Sequence, residues 1–353
     1  MKINNQPKLI LKDGTEFTGR SFGANVSVSG EVVFATGMVG YPEALTDPSF
    51  KGQILVLTYP LIGNYGVPDQ KFFESDQIQV SGLIVSSYID TPSHHSSVQT
   101  LNAWFKKEGI PLLEIKDTRE LTEKLRIGGV MQGVIAAGSN RVSFKDPNLE
   151  NLAALVSTRK ILEFNSPKAK KTVVVIDCGV KRNIVRRLLA RNLKVVVVPW
   201  DTDVTKLNFK FSAVVISNGP GDPTKVKKTI TNVKKIIAKR IPILGICLGN
   251  QILTLALGGT TYKLKFGHRS QNQPVVEGGT NKCYLTTQNH GFAVKKIPSG
   301  FKEWFYNGND RTNEGIIHWK LPFMSVQFHP ESSPGPLDTD WIFDYFLKRA
   351  KIK

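Results

Sequence analysis

The sequence contains little cysteine and no long apolar run. Three cysteines, at positions 178, 247 and 283, occur among 353 residues and form no Cys-x-x-Cys pair. We therefore expect neither a disulfide framework nor a metal site. No stretch reaches the roughly 18 apolar residues that a membrane span needs, and nothing near the start reads as a signal peptide, which predicts a cytoplasmic protein without membrane contact.

Two functional motifs are also missing. The chain contains no Gly-x-x-x-x-Gly-Lys-Ser/Thr loop, so nucleotide chemistry is not expected here, and we predict no cofactor in this chain.

The net charge of +18 falls on one half, because residues 1–160 hold 16 basic and 16 acidic residues. The lysines of segment 225–240 occupy one face of a predicted helix. We interpret this face as exposed to solvent, in preference to a binding surface for an acidic protein. Nucleic acid ranks last because no nucleic-acid-binding motif accompanies the lysines.

The two halves differ in pattern. Residues 1–160 show short alternating apolar segments with predicted helices near 98–108 and 117–126, which indicates a separate β-rich α+β domain. The polar segment 161–170 is interpreted as a linker. Residues 171–353 alternate buried-strand runs with helices, which predicts an α/β fold with a mostly parallel sheet flanked by helices.

Cys247 lies between an apolar strand-like run and a helix-like run, with Gly245 and Gly249 two positions to either side. This is the pattern of a nucleophile elbow, in which side chains at the two glycine positions would collide with the tight backbone. The helix that begins at the thiol has amides and a dipole that stabilise a thiolate. An isolated buried cysteine is more often structural, but the glycines and the neighbouring motifs favour a nucleophile.

Two further motifs are predicted to end strands of the same sheet. Residues 217–223 form a Gly/Pro-rich loop whose amides could hold an oxyanion. His329 and Glu331 are two positions apart, so in an extended chain the carboxylate can orient the imidazole. Nucleophile, base and orienting group are then present at the carboxyl ends of one sheet, where such sites lie.

These three motifs, in this order, resemble the class I glutamine amidotransferase domain over about residues 171–350. The resemblance implies that Cys247 attacks the side-chain amide of glutamine, His329 transfers the proton and Glu331 orients His329. The amide of Leu248 and one from Gly219 or Gly221 would bind the oxyanion.

The first half, with segments 30–49 and 59–67, looks like the N-terminal domain of the carbamoyl phosphate synthetase small-subunit family, and segments 177–184 and 265–269 extend the match. The resemblance implies that the N-terminal domain binds a partner subunit. It also implies an L-glutamine pocket made of Ser49, Gly219, Gly221, Leu248, Gln251, Asn289, Gly291 and Phe292. Asn250 departs from the family, where many members carry His. His268 and His290 are interpreted as structural hydrogen-bonding residues.

The resemblance further implies a large synthetase subunit as partner, with ATP and Mg²⁺ on that subunit, and ammonia passed to it for carbamoyl phosphate synthesis in the pyrimidine and arginine routes. Two alternatives stay open. One is a freestanding glutamine or γ-glutamyl hydrolase, and the other is a catalytically silent regulatory subunit. The sequence does not distinguish allosteric effectors or the higher oligomeric state.

Overall fold

The computed structural model describes residues 6–140 and 142–352. The chain divides into two compact units, Met1–Asn148 and Leu149–Lys353. This division precedes the segment 161–170 that the sequence analysis takes as a linker. Part of that segment, Leu162–Asn165, is a strand of the second unit. A polar, lysine-containing composition suits an edge strand as well as a linker, which is why the sequence did not separate the two.

The first unit is built on seven strands that close into a barrel in the order β1-β2-β6-β5-β4-β3-β7. The strands are β1 (Lys8–Leu11), β2 (Glu16–Gly23), β3 (Val28–Ala35), β4 (Gln53–Leu57), β5 (Gly82–Val85), β6 (Pro111–Ile115) and β7 (Met131–Ala136). Three helices accompany them: α1 (Tyr41–Thr46), α2 (Leu101–Glu108) and α3 (Thr118–Gly128). The predicted β-rich character and both predicted helices are confirmed.

The second unit contains a ten-stranded sheet in the order β14-β13-β15-β16-β17-β12-β11-β9-β10-β8. Its strands are β8 (Leu162–Asn165), β9 (Lys171–Asp177), β10 (Leu193–Pro199), β11 (Ala213–Ile216), β12 (Ile243–Ile246), β13 (Thr260–Glu277), β14 (Cys283–Lys296), β15 (Phe301–Asn307), β16 (Asn313–His318) and β17 (Phe323–Val326). Its helices are α4 (Leu152–Val156), α5 (Arg182–Leu189), α6 (Lys227–Ala238), α7 (Leu248–Ala256) and α8 (Trp341–Arg349).

The parallel part of this sheet is the block β10-β9-β11-β12-β17. Its residues are mainly β-branched and buried, as expected when both faces of a parallel sheet are covered. The α/β class is confirmed. Antiparallel strands extend the block on both sides, beginning with β8 and β16, and the sequence analysis did not predict this extension.

Most of the basic segment is helix α6, whose lysines lie on its exposed side, as predicted. Val233 is buried as expected, and Ile236 is buried where the spacing predicted Ile237. In the described part of the chain, no helix has the length and apolar character needed to cross a membrane.

Candidate active site

Cys247 occupies a sharp turn between β12 and α7, at the carboxyl end of the parallel block. Its backbone has φ 54° and ψ −103°, a strained conformation for a residue that carries a side chain. A Cβ atom on Gly245 would lie 2.5 Å from the carbonyl oxygen of Gly249, and one on Gly249 would lie 2.1 Å from that of Ile216. The Cys247 amide donates to the Val326 carbonyl on β17 at 2.8 Å, which fixes the turn. The predicted strand-turn-helix is therefore present.

His329 and Glu331 follow β17 and are buried. Nδ1 of His329 lies 2.6 Å from Oε1 of Glu331. The main-chain amide of His329 donates to the Thr287 carbonyl on β14 at 2.9 Å, which ties the backbone at His329 to that strand. The sequence predicts extended backbone between the two residues, whereas the chain turns at Pro330 and Glu331. The side chains meet through this turn.

Nε2 of His329 is buried and has no hydrogen-bond partner among the described residues. Burial alone would lower the pKa of His329, but the charges of Glu331 and of the Cys247 sulfur raise it well above its usual value of 6.5. The imidazole is therefore protonated more readily than a free histidine, and the Cys247 sulfur contributes to that shift.

Lys181 supplies a cation that the sequence analysis did not include in the site. Its Nζ atom lies 3.1 Å from Oε1 of Glu331 and donates to the Ser332 carbonyl. Burial raises the pKa of Glu331, but attraction to Lys181 and His329 outweighs it and lowers that pKa below its usual value. Lys181 lies in segment 177–184, which resembles the family. That resemblance was the signal in the sequence that could have indicated Lys181 as a site residue.

The Gly/Pro-rich loop after β11 lies against the same site. Gly219 passes so close to the Cys178 carbonyl that a Cβ would lie 2.0 Å from that oxygen, and 2.9 Å from the side chain of Leu248. Gly221 has a positive φ of 84°, which favours glycine. The side-chain oxygen of Asn218 accepts from the Lys181 amide at 3.0 Å, which ties the loop to the cation.

Strand β14 carries three of the remaining predicted pocket residues, Asn289, Gly291 and Phe292. Cys247 Sγ donates to the Asn289 carbonyl at 3.6 Å. Nε2 of Gln251 donates to the Phe292 carbonyl at 2.8 Å, and Gly291 lies between these two carbonyls in sequence. Ser49 belongs to the first unit, where it is buried in a short 3₁₀ segment capped by an aspartate. Its place in a glutamine pocket stays a prediction.

A second buried group lies in the same sheet. His268, His290 and Glu314 place potential ligand atoms within 4.8 Å of one another. Their ring nitrogens already have hydrogen-bond partners: Nδ1 of His268 and Nε2 of His290 contact the side-chain oxygen of Gln288, at 2.9 and 3.1 Å. Nε2 of His268 pairs with Asp310 at 2.9 Å. Because these nitrogens are committed to protein partners, the group is arranged as a hydrogen-bonded network.

Comparisons with known proteins agree with the motifs. The family model described as "Carbamoyl-phosphate synthase small chain, CPSase domain" matches residues 9–135. The model described as "Glutamine amidotransferase class-I" matches residues 174–349.

Three relatives illustrate the full-length similarity. The carbamoyl phosphate synthase small chain of Sulfurisphaera tokodaii is 46% identical, over 96% of this chain and 95% of that protein. The arginine-specific small chain of Neurospora crassa is 45% identical, over 97% of this chain and 79% of that protein. The multifunctional protein CAD of Squalus acanthias is 48% identical over 97% of this chain, which spans only 16% of that much longer protein.

Proposed function

The chain belongs to the carbamoyl-phosphate synthase small chain family and carries a class I glutamine amidotransferase domain, and from this premise we propose that it hydrolyses L-glutamine to glutamate and ammonia. The ammonia then passes to a large synthetase subunit. There it reacts in carbamoyl phosphate synthesis from bicarbonate and ATP. Cys247, His329 and Glu331 carry out the hydrolysis.

In the first step the Cys247 thiolate attacks the carbonyl carbon of the glutamine side-chain amide. The amide of Leu248, which as the first residue of α7 has no acceptor within the helix, and one from Gly219 or Gly221 stabilise the oxyanion. His329 holds the proton taken from the thiol on Nε2 and gives it to the departing nitrogen. The C–N bond breaks, ammonia leaves and a thioester to Cys247 remains.

In the second step water attacks the thioester. His329 accepts a proton from that water at Nε2, the C–S bond breaks, and glutamate leaves. The sulfur departs as a thiolate beside the protonated His329, which restores the starting pair. Glu331 keeps the ring oriented through Nδ1 during both steps, and Lys181 keeps Glu331 ionised. Gln251 donates both contacts of its side-chain nitrogen to protein oxygens, which leaves its side-chain oxygen for the substrate's α-ammonium group.

The observation that supports this proposal most directly is the open Nε2 of His329 beside a strained Cys247. A structural histidine in a buried site normally has both nitrogens bound. Positive φ at Cys247, in a buried turn between a strand and a helix, is the kind of backbone strain that clusters at active sites.

The large subunit is a proposed partner because relatives of nearly equal length are named as small chains. In this proposal ATP and Mg²⁺ belong to that subunit, the unit Met1–Asn148 docks to it, and the product serves arginine and pyrimidine synthesis.

The test uses the chain co-expressed with a large subunit. Cys247→Ala should lower glutamine-dependent carbamoyl phosphate formation by at least about a thousandfold, because no nucleophile remains. Synthesis from added ammonium chloride should survive. Cys283→Ala is the matched control, because that cysteine is exposed, and both activities should stay unchanged.

Other outcomes identify the alternatives. Full-rate glutamine hydrolysis by the chain alone, with no stable complex, would indicate a freestanding hydrolase. No glutamine hydrolysis by the unmodified complex would indicate a silent regulatory subunit. Near-normal hydrolysis by the Cys247 variant would refute the assignment of the nucleophile.

A further inference from the structure

The side chain of Gln327 contacts the Cys247 sulfur, and the catalytic steps above do not use it. It follows β17 directly, two positions before His329, and is fully buried. Its side-chain nitrogen, Nε2, donates to Cys247 Sγ at 3.7 Å. The sulfur therefore has an N–H donor on one side while its own proton is donated to the Asn289 carbonyl.

The orientation of the Gln327 amide is fixed by an atom whose hydrogen-bonding role cannot reverse. The main-chain carbonyl of Phe292 can only accept, so the group of Gln251 that lies 2.8 Å away must be its nitrogen. That same nitrogen lies 3.1 Å from the outer amide of Gln327, so the facing atom of Gln327 must be its oxygen, Oε1. The Gln327 nitrogen is thereby directed at the sulfur.

A second branch strengthens this orientation. Nδ2 of Asn250 also donates to Oε1 of Gln327, at 3.1 Å. The side-chain oxygen of Asn250 accepts from the hydroxyl of Ser325 at 2.8 Å. All four side chains of this network are buried, and a reversed Gln327 amide would place nitrogen against two nitrogen donors.

We propose that Gln327 stabilises the thiolate of Cys247 through this N–H donor, and that Asn250 and Ser325 are positioning residues that keep the donor aimed at the sulfur. This inference rests on the proposed role of Cys247 as nucleophile. A hydrogen bond to the charged form of an acid favours that form, and the effect is large where water is excluded. The donor is thus most effective when the sulfur carries negative charge, before attack and again when the thioester is cleaved.

Two variants separate the donor from the rest of the side chain. Gln327→Glu keeps an oxygen for Asn250 and Gln251 but places a second oxygen at the sulfur. Gln327→Met keeps the length of the side chain and removes donor and acceptor without adding charge. Ser325→Ala removes only the far end of the network.

The readout is the rate of alkylation of Cys247 by iodoacetamide as a function of pH, measured on the full chain in its complex. The Cys247→Ala variant measures labelling at the other cysteines, which is subtracted. The midpoint of the pH dependence should move up by about one unit or more in Gln327→Glu, somewhat less in Gln327→Met and least in Ser325→Ala. Glutaminase kcat/KM at pH 7 should fall about 10- to 100-fold in the first two and recover partly at higher pH.

An unchanged alkylation midpoint in both Gln327 variants would overturn the inference, even if thermal stability or kcat/KM declined, because Gln327 would then serve packing alone. If Gln327→Glu does not fold, Gln327→Met and Ser325→Ala decide the outcome. Failure of the proposed function is recognised separately, by hydrolysis that persists in Cys247→Ala.

Discussion

Among the described residues of the second unit, two buried histidine–carboxylate pairs differ in how the histidine is hydrogen-bonded. His329 is bound to Glu331 through Nδ1 and leaves Nε2 without a partner in the described part of the chain. His268 uses both nitrogens, with Gln288 and Glu314 at Nδ1 and Asp310 at Nε2. The residue types and the burial are similar in the two pairs. Unused hydrogen-bonding capacity next to a nucleophile is what distinguishes a candidate base from a structural histidine.

The charges around the two pairs do not divide them, because neighbouring carboxylates raise the pKa of both His329 and His268. Burial lowers the pKa of His268, but attraction to Glu314 outweighs it and raises that pKa. Burial, followed by repulsion from His268, lowers the pKa of the adjacent His290 well below its usual value. His268 is thus favoured as a cation, whereas the adjacent His290 is favoured as a neutral ring. Neither has a free nitrogen directed at Cys247.

The largest effect should come from removing the open nitrogen. His329→Asn leaves the thiol without a base, and we expect glutaminase kcat/KM to fall about a thousandfold or more, because general acid–base catalysis is lost in both steps. His268→Asn is the matched change in the pair whose histidine has partners at both nitrogens, and it should lower kcat less than about tenfold. Steady-state ammonia release from glutamine measures both. Equal losses in the two variants would remove the distinction between the pairs.

A smaller effect should follow from neutralising the orienting carboxylate. Glu331→Gln removes the strongest attraction that opposes burial, so the pKa of His329 should fall. If the reactive state pairs a thiolate with a protonated His329, activity is lost at high pH when the ring deprotonates. The alkaline limb of the kcat/KM profile should therefore move to lower pH, with a loss of about 10- to 100-fold at neutral pH. An alkaline limb at an unchanged pH would contradict this account of the charges.

The smallest effect on catalysis should come from changing Glu314, the carboxylate that pairs with His268. Glu314→Gln removes a fully buried charge, one of whose oxygens has no hydrogen-bond partner among the described residues. We expect kcat/KM to stay within about threefold and the free energy of unfolding to fall by about 1–2 kcal/mol. Denaturant titration and the glutaminase assay test this together. A loss of activity as large as that of Glu331→Gln would place the second pair in the catalytic machinery.

The sequence predicted the parts of the site that depend on neighbouring residues. Gly245 and Gly249 indicate the elbow because the turn needs residues without side chains two positions before and after Cys247, and this spacing is visible in the sequence. The pairing of His329 with Glu331 was predicted, although the backbone between them turns. The structural role of His268 and His290 agrees with their hydrogen bonds.

Contacts between distant segments were not predictable in the same way. Lys181 reaches Glu331 across most of the second unit's sequence, and no periodicity relates the two. Gln327 looks like an ordinary polar residue at the end of a strand until Gln251 and Phe292 define its orientation. The pairing of β13 with β14 has several register shifts, which break the alternation by which a long strand is recognised.

The position of β17 has a consequence for the order in which the protein is made. Among the described strands β17 comes last in the chain, yet it lies between β12 and β16, both synthesised earlier. A nascent chain on the ribosome therefore exposes Cys247 long before it contains the imidazole that would activate it. Because the carbonyl that fixes the elbow also comes from β17, the proposed nucleophile and base can come together only after this last strand has been made.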